Sequence, residues 1–150
     1  MIEIRCATPD ETEALGGRIA SSLRPGDIVV LAGGLGAGKT LFTKGLATGL
    51  GVEEPVVSPS FVLVREYKSG FMPLVHADVY RLNSINEFDD LDVFEMSQEG
   101  VLVIEWGGAV ESALPPDHLR IEFEIEDDQA RTLRFRSEGS WAMRELDDLT

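Results

Sequence analysis

Gly33-Gly34-Leu35-Gly36-Ala37-Gly38-Lys39-Thr40 fits the pattern G-x-x-x-x-G-K-[ST], the turn between a strand and a helix that holds phosphate. Its flanks agree. Asp27 to Ala32 contains the β-branched, apolar run expected of a buried strand, and Leu41 to Leu50 has apolar residues at helical spacing. Each part of the motif has its own physical role. Glycines at 33, 34, 36 and 38 permit positive φ and close approach of backbone to an anion. Successive N–H groups in such a loop form an anion nest, and the helix that follows adds the positive end of its dipole. Lys39 would reach the β- and γ-phosphates, and the Thr40 hydroxyl would ligate magnesium. The plain alternative is a glycine-rich turn carrying an incidental lysine.

The whole chain sets limits on the rest. Its 150 residues suit a single domain, with 43% hydrophobic and 27% charged residues, as in soluble globular proteins. A lone cysteine, Cys6, excludes an internal disulfide and suits a reducing compartment. Met1-Ile2-Glu3-Ile4-Arg5 leads into polar sequence, unlike a signal peptide, and no apolar run has the length of a membrane helix. A cytoplasmic protein without a membrane partner is expected. The formal charge of −14 argues against strong direct nucleic-acid binding, which needs clustered Lys and Arg. Acidity concentrates in Glu87 to Glu99, Glu122 to Asp128 and Glu145 to Asp148. These segments read as solvated faces, with docking on a basic partner as the alternative.

Working outward from the loop, Ile2 to Cys6 alternates like a short strand. Thr8-Pro9-Asp10-Glu11 starts a helix, with Thr8 as N-cap and Glu11 placed for a capping box, and Leu15, Ile19 and Leu23 share one face. Pro55 to Ser60 is stiff and extended. Phe61 to Tyr67 and Phe71 to Asp78 flank Lys68-Ser69-Gly70 as a β-hairpin. Two weak helical segments are expected within Ser84 to Met96, a buried strand over Val101 to Glu105, and a second hairpin from Leu119 to Arg136 turning at Asp127 to Ala130. A terminal helix over Trp141 to Leu149 would carry Trp141, Leu146 and Leu149 inward. The sum is one α/β domain with a sheet of mixed direction.

A phosphate loop holds nucleotide but needs further groups to hydrolyse it. In open α/β sheets ligands bind at the carboxyl edge of the strands. Two acids end such runs: Asp78 after Pro73-Leu74-Val75-His76-Ala77, and Glu105 after Val101-Leu102-Val103-Ile104. Glu105 is the stronger choice for the magnesium shell; Asp78 would position water or act on magnesium indirectly. For each the alternative is an ordinary surface acid at a strand end. Ser60 is a candidate γ-phosphate sensor if residues 56 to 61 form a switch loop. His76 has structural hydrogen bonding as its plainer role, Arg81 would supply charge or bond a carboxylate, and Trp106 would be core or contact surface. Zinc-type ligand spacing and a nucleophilic triad are both absent from the sequence.

Leu35 to Thr40, Ser58-Pro59-Ser60-Phe61, His76-Ala77-Asp78-Val79-Tyr80-Arg81-Leu82 and Ile104-Glu105-Trp106, in this order and spacing, resemble the TsaE (YjeE) family of bacterial tRNA threonylcarbamoyladenosine biosynthesis. The resemblance implies a P-loop NTPase fold: three α/β/α layers around a central mixed, largely parallel sheet. It also implies a magnesium-dependent ATPase, weak alone and stimulated by the TsaB and TsaD homologues, needed for tRNA modification at adenosine 37. Carried over by position, Gly36, Ala37, Gly38, Lys39, Thr40 and Leu41 bind ATP, while Thr40 and Glu105 hold Mg2+. Lys39, Asp78 and Glu105 are then the catalytic group, and Ser58, Ser60, Phe61 and Trp106 are switch or partner-facing positions. The chain has Ser58-Pro59-Ser60 where the family usually has Ser-Pro-Thr, and His76-Ala77-Asp78-Val79 where His-Phe-Asp-Leu is commoner.

Two other functions use the same loop. A small-molecule kinase would need cationic groups to clamp phosphates, yet only Arg65, Lys68 and Arg81 lie between Lys44 and Arg120. A nucleotide-binding interaction module would not depend on hydrolysis at all.

Overall fold

The computed structural model describes residues 1–34, 36–58, 64–79, 92–105, 114–144 and 146. Seven strands form one sheet: β1 (Ile2–Cys6), β2 (Ile28–Ala32), β3 (Val64–Tyr67), β4 (Leu74–Asp78), β5 (Val101–Glu105), β6 (His118–Ile125) and β7 (Arg131–Glu138). Their order across the sheet is β1-β7-β6-β2-β5-β4-β3. The central pairs β6-β2, β2-β5 and β5-β4 are parallel, whereas the margins β1-β7, β7-β6 and β4-β3 are antiparallel. The expectation of a largely parallel sheet therefore holds at its centre and not at its edges.

Alternation along the strands sorts two cores. Val29, Leu31, Leu74, Val101, Val103, Leu119, Ile121, Leu133 and Phe135 face α1 (Pro9–Ala20) and α2 (Lys39–Gly49), whose Leu15, Ile19, Phe42 and Leu46 are fully buried. Phe42 anchors this layer, edge-on to Phe123 at 5.7 Å between ring centroids. The opposite face packs Val30, Val75, Ala77, Leu102 and Ile104 against Val93 of the one-turn helix α3 (Val93–Met96). Beyond β2 that second face turns charged. Arg134 pairs with Glu3 and Glu124, Arg136 and Arg120 with Glu122, and Arg5 with Glu126. The acidic stretch from Glu122 is thus a solvated face matched by its own arginines.

Local signals explain most boundaries. Thr8 Oγ1 accepts from Glu11 N at 3.2 Å, while the Glu11 carboxylate takes the N–H of Ala7, one residue before the position a strict capping box would use. α1 stops at Ala20, three residues short of the expected Leu23; the Ser21 hydroxyl bonds Arg18 O, and Leu23 stays buried beyond the helix. In the first hairpin, β4 begins at Leu74 and not Phe71. Phe71 N donates to Leu50 O at 2.7 Å, which draws the segment toward the end of α2. Residues 61–63 of its partner strand lie outside the described residues, as do 84–91 of the weak helical region, which leaves α3 as its described part.

The terminal helix is corrected. Gly139–Met143 forms a 3-10 turn, and Arg144 is extended at φ −90°, ψ 139°. Its guanidinium bonds both Asp27 carboxylate oxygens at 2.6 Å and stacks over Trp141, a geometry that a continuing α-helix would break. Trp141 and Leu146 do point inward, and Leu149 lies outside the described residues. No helix among the described residues is long and apolar enough to cross a membrane.

Candidate functional site

The site lies where β2, β5 and β4 end, on the face covered by α2. β2 leads into the glycine loop at Gly33, and α2 leaves it at Lys39. Gly36 (φ 76°) and Gly38 (φ 99°) occupy left-handed backbone, which accounts for the motif's glycine at 38 and for glycine at 36, where the motif allows any residue. Gly34 takes an ordinary φ and does not use the freedom glycine offers there. Gly38 is the backbone N-cap of α2 without a side-chain bond, and the first turn of α2 has no acid to compete for an anion.

Lys39 folds back along the loop and donates Nζ to Gly33 O at 2.9 Å. It is 7% exposed, against 6% for each of Asp78 and Glu105. Burial lowers the Lys39 pKa from 10.5, and the charges of Glu105 and then Asp78 oppose that shift. The two acids are direct partners in the β4-β5 register, and Leu31 of β2 lies opposite Glu105 on the other side. Strand alternation turns both toward α2, with Leu74, Val101 and Val103 beneath them. The surface-acid alternative fails for both. The ranking of Asp78 below Glu105 rested on the weaker apolar run before it, yet β4 is buried at all five positions.

His76 shares this face and is fully buried. Its Nε2 lies 2.9 Å from Glu105 Oε2, but the ring N–H direction is not aligned with that oxygen. Among the described residues, both imidazole nitrogens and Glu105 Oε2 therefore lack an aligned hydrogen bond. A buried oxygen left so at the mouth of an anion nest suits a cation ligand. Among the described residues no group of three or more His, Cys, Asp or Glu side chains converges, so a cation here would also need the Thr40 hydroxyl and ligand oxygens.

The remaining candidates divide. Gly36, Ala37, Gly38, Thr40 and Leu41 occupy the loop and the first turn of α2, with Thr40 and Leu41 half-buried. Ser58 is exposed; Ser60, Phe61, Arg81 and Trp106 lie outside the described residues. One residue here escaped sequence reasoning. Arg131, the first residue of β7, donates Nε to Ala37 O at 3.2 Å and Nη2 to Gly36 O at 3.1 Å. No local motif marks it, because its targets are backbone carbonyls on a distant loop.

The family model described as threonylcarbamoyl adenosine biosynthesis protein TsaE matches residues 6–133. A Bacillus subtilis tRNA threonylcarbamoyladenosine biosynthesis protein TsaE is 41% identical over 136 residues, covering 91% of this chain and 85% of that protein. The protein of the same name from Treponema pallidum is 41% identical, covering 87% and 98%. The crystal structure of Bacillus subtilis YdiB superposes with a TM-score of 0.77 at 36% identity, covering 95% of this chain and 89% of that one. The match to the family model, carried by relatives similar along nearly their whole lengths, establishes that this chain belongs to the TsaE family.

Proposed function

We propose that this protein is a magnesium-dependent ATPase of the P-loop NTPase fold, three α/β/α layers, that serves tRNA N6-threonylcarbamoyladenosine formation by acting on the TsaB–TsaD pair in the cytoplasm. The observation that carries the reading is the convergence of Lys39, Asp78 and Glu105 beside a glycine loop capping α2. The names of the relatives supply the pathway.

The backbone N–H groups of residues 38–40, at the N-terminus of α2, cradle the β-phosphate. Lys39 exchanges Gly33 O for the β- and γ-phosphate oxygens, and so recovers a counter-charge for a lysine that burial disfavours. Thr40 and Glu105 hold magnesium, which when bound offsets charge building on the transferred phosphoryl group. Asp78, one strand over, orients the attacking water. His76 backs Glu105 and restricts where its carboxylate can turn. Ser58, Ser60, Phe61 and Trp106 are the positions through which the TsaB–TsaD pair would complete the geometry.

The test is release of inorganic phosphate with and without the TsaB–TsaD pair. Slow turnover alone, stimulation by the pair and loss of both in Glu105→Ala are expected, with the variant still folded. Full activity without the pair would sink the accessory role. Phosphate appearing on an added metabolite would sink hydrolysis.

A further inference from the structure

We propose that Arg131 is a positioning residue for the nucleotide loop, bracing it against the turn between β6 and β7; this rests on the reading that the loop binds ATP. All three guanidinium nitrogens are committed. Nε and Nη2 donate to Ala37 O and Gly36 O, while Nη1 donates to Asp127 O at 2.7 Å and Ala130 O at 2.9 Å. One planar group thus joins the turn just before it to a loop whose bonded residues lie 94 and 95 positions earlier in the sequence.

The need for such a brace follows from the chemistry of an anion nest. N–H groups can face a phosphate only if the carbonyls of the same peptides face away from it. The Ala37 carbonyl, whose peptide carries the Gly38 N–H, takes Nε of Arg131, and the neighbouring Gly36 carbonyl takes Nη2, while the N–H of that second peptide, on Ala37, is held within the loop by Gly34 O at 3.2 Å. A forked guanidinium holds two neighbouring carbonyls at fixed spacing, which a single ammonium cannot do. Gly36 and Gly38 have the freest backbone in the loop, and between them Ala37 is buried.

The abutment is stiff. Asp127 Oδ1 accepts the N–H groups of Gln129 at 2.9 Å and Ala130 at 2.7 Å, and Glu126 N donates to Ala130 O at 3.1 Å. Arg131 itself is fixed by pairing with Cys6 of β1 and Ile125 of β6. It has the same parity as Leu133 and Phe135, so it projects to the α2 face, unlike Arg134 and Arg136. Its partners are backbone atoms, which separates it from the carboxylate-paired arginines across the sheet.

The test compares wild type, Arg131→Ala, Arg131→Lys and, as control, Arg134→Ala. Calorimetric binding of Mg–ATP is measured alongside amide hydrogen exchange of residues 36–39 in the nucleotide-free protein. We expect Arg131→Ala to weaken ATP by at least about tenfold, as loss of a charge-assisted pair of bonds would. Arg131→Lys should fall between, and Arg134→Ala should match wild type. Exchange at 36–39 should rise in Arg131→Ala while amides of α1 and β5 stay protected. Affinity within about twofold of wild type with unchanged local exchange would overturn the proposal. Full function in Arg131→Lys would also overturn it, because charge alone would then suffice. Should Arg131→Ala not fold, the lysine variant decides by the same two measurements. A wild-type protein that fails to bind ATP would instead defeat the ATPase reading, and local exchange would still judge the brace.

Discussion

At the scale of single residues, among the described residues, two carboxylates stand beside the ammonium of Lys39. Asp78 and Glu105 lie side by side in adjacent strands, both buried, with Lys39 as the cation whose pKa they help to support. Such crowding serves binding at the cost of the empty protein. Glu105→Gln keeps the shape and removes one of the two apposed carboxylates. It should raise unfolding stability of the nucleotide-free protein by about 1 kcal/mol while abolishing hydrolysis. A denaturant midpoint below wild type would refute the argument. Lys39 yields a pH prediction. Its folded pKa lies below the unfolded 10.5, so the fold binds fewer protons between the two values and stability rises with pH across that window. ATP affinity should move the other way, starting to weaken as pH climbs through the lowered value, before 10.5 is reached. Titration calorimetry across alkaline pH checks both the sign and the onset. Lys39, Asp78 and Glu105 were legible because each follows an apolar strand or a glycine pattern at fixed spacing. Arg131 was not, because recognising it needs the pairing of β6 with β2, which carries the hairpin beside the loop.

At the scale of elements, α1 and α2 are joined more closely than their amphipathic patterns imply. A Cβ added at Gly45 would stand 1.8 Å from Glu13 O, so the two helix backbones touch at that crossing. Gly45→Ala must separate the helices or distort one of them. A loss of about 2 kcal/mol in unfolding free energy is expected, together with weaker ATP binding, since α2 carries the loop. An alanine variant as stable as wild type would show that the helices can part freely. This contact was hidden in the sequence, where Gly45 reads only as a poor helix former. The strands were legible from period and turn chemistry: Asp127 to Ala130 turns as expected, with the Asp127 side chain capping two backbone N–H groups. Misreadings fell where a distant partner overrode local preference. Leu50 O captures Phe71 and delays β4, and Asp27 captures Arg144 and prevents the terminal α-helix.

At the scale of the whole molecule, the clasp between Arg144 and Asp27 ties the terminal segment to the entry of β2, the strand that leads into the glycine loop. Asp27 also accepts from Arg24 N at 2.6 Å, and Arg144 reaches Ser22 O at 3.3 Å, so one half-buried cluster joins the connection after α1, the entry of β2 and the terminal segment. Its hydrogen bond to Asp27 raises the Arg144 pKa above its ordinary value. A raised value contributes stability that is complete below the unfolded pKa and is lost only as pH rises through the folded one. Arg144 therefore stays charged throughout the range in which the protein is handled. Salt separates this clasp from the arginine–glutamate ladder on the open sheet face. Exposed pairs such as Arg134 with Glu3 are screened, whereas the clasp, with Arg144 and Asp27 side chains 15% and 6% exposed, is screened much less. Arg144→Ala leaves a buried carboxylate without its partner and should cost about 3 kcal/mol, with little dependence on salt. Arg134→Ala should cost far less, and salt should erase that difference. In a double-mutant cycle, Asp27→Asn with Arg144→Ala should cost less than the sum of the two single changes, because the second removes a partner already lost. Strict additivity would mean that the two side chains act independently, and the terminal segment would then be held by Trp141 and Leu146 packing and by the Ser140 N–H bond to Asp117.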